Sequence, residues 1–264
     1  MAIERLEVAR QYWRESGFSH LQRYLFARER AGGRVLDVAC GVGYGSYLLG
    51  ITCEAVLGVD LSAEAIADAR AQHGRPNVSF HLGPLDSVAS TAPFDAAVCL
   101  ETIEHVSDPR AFLEELHRRL RPGGRLILSA PNVWQHTRGN PPVPNPFHLH
   151  EPTHAELQDW LRPFFVIEEE WEQTRLVGPQ QDRIEALARA GATIGQYKIV
   201  RLLAGMERLL RRATGRTLPS VAPVVDPTDA LVAETAIVPL LPARREIAHT
   251  FVIVARRHGE MATP

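Results

Sequence analysis

The stretch Val35-Leu-Asp-Val-Ala-Cys-Gly-Val-Gly-Tyr-Gly-Ser46 constrains the fold more than any other part of the chain. An apolar run ends in a turn holding three glycines, and a second run, Val56-Leu-Gly-Val-Asp60, ends in a lone carboxylate. The pattern predicts a strand over 34–39, a tight turn, a helix to about Leu49 and a second strand over 55–60. Glycines at 41, 43 and 45 let the backbone approach a ligand closely, where any Cβ would clash. An acid at a strand end can accept from two adjacent ribose hydroxyls, although Asp60 could also cap the helix beyond Ser62. Together the two runs imply a pocket for an adenosine-like cofactor.

The rest of the chain continues the rhythm. Ser62 is a good N-cap for a helix over 63–73 that carries Glu64 in its first turn. Strands are expected over 77–82 and 95–100, then an amphipathic helix over 109–120 stopped by Pro122-Gly123-Gly124, and a strand over 125–130. A helix over 153–165, a strand over 166–177 and a final antiparallel strand within 246–257 complete the pattern. Residues 1–31 read as helical, with Tyr12, Trp13, Phe18, Leu21, Tyr24, Leu25 and Phe26 on the apolar face. Alternating short strands and helices predict an α/β fold with a doubly wound, mostly parallel sheet. Right-handed crossovers then bring the carboxyl ends of the first two strands together at the switch point, where ligands bind. Three segments are expected: an N-terminal helical lid (1–31), a core (32–178 and 246–258), and a helical and irregular insertion (179–245) before the last strand.

Composition narrows the partners. A formal charge of -2 over 264 residues exerts no global pull on nucleic acid, so no nucleic-acid partner is expected. The start, Met1-Ala-Ile-Glu-Arg-Leu-Glu, has no apolar core of signal-peptide length, and no run approaches the ~20 apolar residues of a membrane span. Cys40, Cys53 and Cys99 lie in apolar, strand-like contexts with no close-spaced pair. Reduced, buried thiols and a cytoplasmic location are the expectation.

Two downstream blocks sharpen the reading. They are Phe94-Asp-Ala-Ala-Val-Cys-Leu-Glu-Thr-Ile-Glu-His-Val-Ser-Asp-Pro109 and Leu120-Arg-Pro-Gly-Gly-Arg-Leu-Ile-Leu-Ser-Ala-Pro-Asn132. With the glycine turn and Asp60, in this order, they resemble the class I S-adenosylmethionine-dependent methyltransferases from about His20 to Phe165. The third glycine also comes a residue too early for the dinucleotide-binding spacing. The resemblance implies a seven-stranded sheet and S-adenosylmethionine as cofactor, with Asp37, Ala39, Gly41, Gly43, Asp60, Leu61, Leu85, Asp86 and Leu100 around it. Arg23, Tyr24 and Tyr44 would be lids over its methionine end, or ordinary amphipathic-helix residues. The chain departs from its relatives after the third strand. Where they commonly carry Gly-Asp-Ala it has Gly83-Pro84-Leu85, so Asp86 or backbone groups would have to meet the adenine.

On the acceptor side, Glu101-Thr-Ile-Glu104-His105 resembles the divalent-metal motif of ubiquinone-pathway O-methyltransferases and small-RNA 2′-O-methyltransferases. The resemblance implies Mg²⁺ or Mn²⁺ held by Glu101, Glu104, His105 and one of His148 or His150. The other reading is a structural Glu–His pair, with His105, His136, His148 or His150 acting as a base on the acceptor and Glu104 beside it. The segment Gly139-Asn-Pro-Pro-Val-Pro-Asn-Pro-Phe-His148 resembles standalone methyltransferases of surface-polysaccharide or natural-product assembly. It implies O-methylation of a small-molecule or glycan acceptor, a sugar above all. N-methylation of an amino sugar or amine and a non-catalytic cofactor-binding scaffold are the rivals, with a nicotinamide oxidoreductase weakest. Residues 182–216 carry eight basic side chains against three acidic ones. They would make a substrate lid, a homodimer surface, a peripheral contact with anionic lipid, or a solvated helix on the core.

Overall fold

The structure is a computed structural model that describes residues 16–89, 92–133, 147–173, 237–242 and 250–258. The chain divides into two compact units. One comprises Met1–Arg5, His20–Thr174 and Ile237–Pro264, the other Leu6–Ser19 and Arg175–Ala236. Of the second unit only 16–19 are described. The expected helix over 1–15, His136 and the basic segment 182–216 lie outside the described residues.

The described residues form five α-helices and an eight-stranded sheet. The strands are β1 (Arg34–Val38), β2 (Ala55–Asp60), β3 (Val78–Leu82), β4 (Phe94–Leu100), β5 (Leu120–Pro131), β6 (Phe165–Gln173), β7 (Ile237–Pro239) and β8 (Thr250–Arg257). The helices are α1 (Ser16–Arg28), α2 (Tyr44–Leu49), α3 (Ala63–His73), α4 (Pro109–Arg119) and α5 (His154–Leu161). The sheet order is β3-β2-β1-β4-β5-β8-β6-β7. From β3 through β5 every pairing is parallel, whereas β8 runs antiparallel between β5 and β6. This is the seven-stranded arrangement the sequence implies, with short β7 added at the edge of β6.

The parallel strands are apolar because both faces are covered. Leu36, Ala97, Val98, Leu126 and Ile127 are wholly buried, and the antiparallel Phe251–Ala255 run is equally sequestered. Local chemistry fixes the boundaries. Ser62 accepts from the Ala65 amide at 3.2 Å and opens α3 at the expected residue. Asp108 caps α4 ahead of Pro109, and Thr153 with Glu156 forms a reciprocal capping box on α5.

Four expectations need correction. α5 ends at Leu161, because Phe165 is drawn into the sheet against Arg257 and is buried there. β6 therefore starts a residue early. α4 ends at Arg119 rather than at the Pro-Gly-Gly run, since Leu120 already pairs with Phe94. Arg121–Gly124 is the bulge that returns the register to Ala96–Arg125, with Gly123 at φ 74°. Within the stretch expected to be irregular, Ile237–Pro239 pairs with Trp171–Gln173 as β7.

Candidate active site at the carboxyl ends of β1, β2 and β4

β1 and β2 on one side, and β4 on the other, deliver their carboxyl ends to one crevice. Backbone strain marks this line. The non-glycine residues Ala39 and Glu101, just beyond β1 and β4, adopt φ 57° and φ 50°. Both lie in the left-handed region that side chains disfavour, and such strain collects at ligand-binding edges. Ala39 is exposed although its neighbours Val38 and Cys40 are buried.

The glycine turn proves to be two things at once. A Cβ on Gly45 would lie 2.0 Å from the Tyr24 ring, and one on Gly43 would lie 2.7 Å from Ala69 and Phe80. Those two glycines are already required by the protein's own packing. Gly41 differs: at φ 54° a Cβ would meet no atom within 4 Å, so it alone of the three faces open space. Its amide donates to Asp60 Oδ2 at 2.8 Å, while the Ser62 amide donates to Oδ1 at 2.8 Å. Asp60 thus sits at the end of β2 with each oxygen held by one backbone donor and a second lone pair on each oxygen for a diol.

Asp37 lies beneath the turn and is 1% exposed. Tyr24 Oη donates to its Oδ1 at 3.1 Å and Ser46 Oγ to its Oδ2 at 2.6 Å. Burial pushes its carboxyl up to about 7 despite those two donors, and the charge of Asp60 adds to the rise. Burial, then the Asp37 charge, likewise raises the Tyr24 hydroxyl. Asp37, Tyr24 and Ser46 form a strut under the cofactor turn, and Tyr44 meets the Tyr24 ring edge-on at 5.4 Å. The Cys40 and Cys99 thiols are raised by burial and are poor nucleophiles.

His73 closes the strut from the other side. It is 4% exposed, and its Nδ1 donates to the Val42 carbonyl in the turn at 2.7 Å. Desolvation lowers its pKa, which favours the neutral ring. Sequence reading missed His73 and Ser46, because their partners become visible only once the turn is folded onto α3 and β1.

Around the expected adenine position, Leu61 is exposed and Asp86 is an exposed residue whose carbonyl accepts from Arg119 Nη2 at 2.9 Å. Leu85 is 9% exposed and belongs to the core, so its side chain is not at a ligand's disposal. Leu100 is also buried, at the end of β4. Leu82, exposed beside Leu61 at the neighbouring strand end, is the apolar surface the sequence reading passed over.

Beyond β4 the chain makes a 3₁₀ turn, Ile103–His105, onto which the loop at 147–150 is tied. The Leu149 and His150 amides donate to the Glu104 carbonyl at 2.8 and 3.2 Å. His105 Nδ1 donates to the Phe147 carbonyl at 2.9 Å. These bonds bring ligand atoms of Glu104, His105 and His148 within 4.8 Å of one another. The His105 and His148 rings meet edge-on at 4.8 Å.

Glu104 is the unusual member. Its side chain is 1% exposed, and neither carboxylate oxygen has a hydrogen-bond partner. Burial first, then the charge of Glu101, pushes its carboxyl well above the usual range, and Arg23 offsets this only in part. Buried charges without partners are costly and rare, so such a carboxyl suits a cation or a shared proton.

Two residues of the expected metal set fall outside this cluster. Glu101 turns to Ser129, whose Oγ donates to its Oε1 at 2.7 Å, and to Arg23 at 3.8 Å. Arg23, itself 3% exposed, also donates through Nη1 to Gln173 Oε1 at 2.5 Å, so it braces α1 against β6. The His150 side chain pairs with Glu156 at 3.3 Å and lies against Trp160, half exposed. Glu151, unmarked in the sequence, enters instead: its Oε1 accepts from His148 Nδ1 at 2.5 Å.

Comparison with known proteins agrees with this layout. Residues 36–128 match the family described as a methyltransferase domain. A protein of Mycolicibacterium smegmatis, named a probable S-adenosylmethionine-dependent methyltransferase, is 36% identical over 136 residues, covering 51% of this chain and 52% of the relative. A ubiquinone biosynthesis O-methyltransferase of Xanthomonas oryzae is 39% identical over 115 residues, covering 41% of this chain and 48% of that one. The chain thus spans about half the length of the curated relatives it matches. Among solved structures, the N-methyltransferase NodS of Bradyrhizobium japonicum aligns with a TM-score of 0.51 at 16% identity, over 61% of this chain and 81% of that one, a likeness of fold. No helix among the described residues is long and apolar enough to cross a membrane. The family match over 36–128 and the strand order agree: this segment is similar to methyltransferase domains and lies on the doubly wound, mostly parallel sheet typical of class I methyltransferases.

Proposed function

We propose that the chain is an S-adenosylmethionine-dependent methyltransferase acting on a hydroxyl of a small molecule, with a sugar or glycosylated natural product as the acceptor class. The observation that carries the oxygen reading is Glu104, a buried carboxyl without a hydrogen-bond partner beside the imidazoles of His105 and His148. An amine acceptor needs only to be neutral, whereas a hydroxyl needs a base or Lewis acid to gain oxyanion character. The O-methyltransferase named among the relatives supports the same side, and the Pro- and His-rich run ending at His148 supports the sugar class.

When bound, S-adenosylmethionine supplies a methyl group made electrophilic by its sulfonium. Gly41 leaves open space for its amino-acid and ribose portion, and Asp60 keeps a lone pair on each oxygen for the two hydroxyls. Leu61 and Leu82 offer apolar surface for a purine. Holding acceptor and methyl in line accounts for much of the acceleration such a site can give. Glu104, His105 and His148 would hold a divalent ion, which lowers the pKa of a bound hydroxyl. Two imidazoles and one carboxylate suit Mn²⁺ or another borderline ion better than Mg²⁺, which prefers oxygen ligands.

The reading is tested with radiolabelled cofactor and matched acceptors, sugars and phenols against amino sugars and amines, with and without EDTA. Transfer to hydroxyls that EDTA suppresses and Mn²⁺ restores is the expected result. EDTA-insensitive transfer to amines would replace it with N-methylation.

A further inference from the structure

Each imidazole of the acceptor-side cluster has one nitrogen assigned by its partner. A carbonyl only accepts, so His105 carries a proton on Nδ1 toward Phe147, and its Nε2 lies 3.8 Å from Glu104 Oε1. The same logic applies to His148, whose Nδ1 lies 2.5 Å from Glu151 Oε1. A carboxylate accepts, so a proton sits on Nδ1. The side chains of His148 and Glu151 are only 14% and 12% exposed, so their bond is shielded from water and ions. Glu151 follows the tied-down loop directly and precedes Thr153, the N-cap of α5, so its backbone is anchored on both sides.

We propose that Glu151 is a positioning residue of the acceptor-side centre: it holds the His148 ring in the Nδ1–H tautomer within the cluster that His148 forms with Glu104 and His105. This rests on the acceptor-side reading above for its purpose, but the tautomer can be measured without it. The carboxylate also raises the donor strength of Nε2, the usual effect of an outer carboxylate on a ligating imidazole.

The test is long-range proton–nitrogen NMR of the ¹⁵N-histidine-labelled full chain, freed of metal with EDTA, at a pH where the rings are neutral. His148 is assigned by loss of its signals in His148→Gln. The wild type is expected to show a protonated Nδ1 and an unprotonated Nε2 at His148. Glu151→Ala should move the proton to Nε2 or mix the tautomers, and Glu151→Asp should restore the wild-type pattern. Glu151→Met, which keeps the side-chain volume, replaces the alanine variant should that one fail to fold. Calorimetric titration with Mn²⁺ then reads the purpose: Glu151→Ala is expected to weaken binding about 10–100-fold, with affinity for S-adenosylhomocysteine unchanged. An unaltered His148 tautomer in both Glu151→Ala and Glu151→Met overturns the proposal. A shifted tautomer in a protein whose wild type binds no Mn²⁺ upholds Glu151 as the ring's anchor and removes the metal from the proposed function instead.

Discussion

Asp60 and Glu104 stand on opposite sides of β1 and are treated in opposite ways. Asp60 is met by two backbone amides, one on each oxygen, and Asp37 below it by two hydroxyls. Glu104 is more buried than Asp60 and has no hydrogen-bond donor on either oxygen. The cofactor half is therefore a finished piece of architecture, whose carboxylates hold the turn in shape before any ligand arrives. The acceptor half instead keeps a buried carboxyl that only a proton or, on the proposed reading, a bound cation compensates. Buried charge is tolerated where its compensation is the function.

The sharpest way to break this comparison is to neutralise Glu104. Glu104→Gln is expected to abolish Mn²⁺ binding in a calorimetric titration while leaving S-adenosylhomocysteine affinity within about 3-fold, since its shape is kept.

Asp37 gives the next largest effect, seen in stability against pH. Its carboxyl is pushed from the ordinary 3.8 up to about 7 by burial, so the folded state binds this proton more tightly than the unfolded chain. Its stabilising contribution is full at low pH and is lost as pH rises from about 4 to about 7, on the order of 4 kcal/mol in all. Asp37→Asn should flatten that part of the denaturant-derived stability curve. An unchanged slope would mean that Asp37 is ionised at little cost in the fold.

Asp60→Ala is expected to weaken S-adenosylhomocysteine binding about 100-fold, the loss of two charge-assisted hydrogen bonds, and to leave Mn²⁺ affinity alone. Equal losses in both titrations would show that the two halves are not separable. Gly45→Ala sharpens the claim that this glycine serves packing. The added methyl must displace the Tyr24 ring, which should lower stability by about 1–3 kcal/mol in chemical denaturation. The smallest effect is expected at Ala39, where glycine would relieve the left-handed backbone at φ 57°. That relief of about 1–2 kcal/mol is offset by the greater freedom of an unfolded glycine, leaving a gain below about 1 kcal/mol.

What could be read in advance follows from whether the signal was local. β2 and α3 appear over the expected residues because Ser62, Glu64 and the alternation around them are neighbours in sequence. Asp60 was legible for the same reason, being the last residue of an apolar strand. The end of α5 and the pairing of Leu120 were not, since Phe165 and Phe94 decide them from across the sheet. Gly43 and Gly45 resemble ligand glycines, yet their obstacles are Ala69, Phe80 and Tyr24, brought there by α3, β3 and α1. The Glu101-Thr-Ile-Glu104-His105 run likewise suggested two carboxylates in one cluster, but Ser129 and Arg23 draw Glu101 aside. Glu151 carried no signal of its own, because its role depends on a loop tied to Glu104 by backbone bonds.

The central claim is that the crevice binds an adenosyl-sulfonium cofactor between Gly41 and Asp60. Its most direct test is calorimetric titration of the EDTA-treated full chain with S-adenosylhomocysteine, with NADH as control. The account predicts saturable micromolar binding of S-adenosylhomocysteine at one site per chain and none of NADH. No heat with S-adenosylhomocysteine, or binding of NADH in its place, would contradict it.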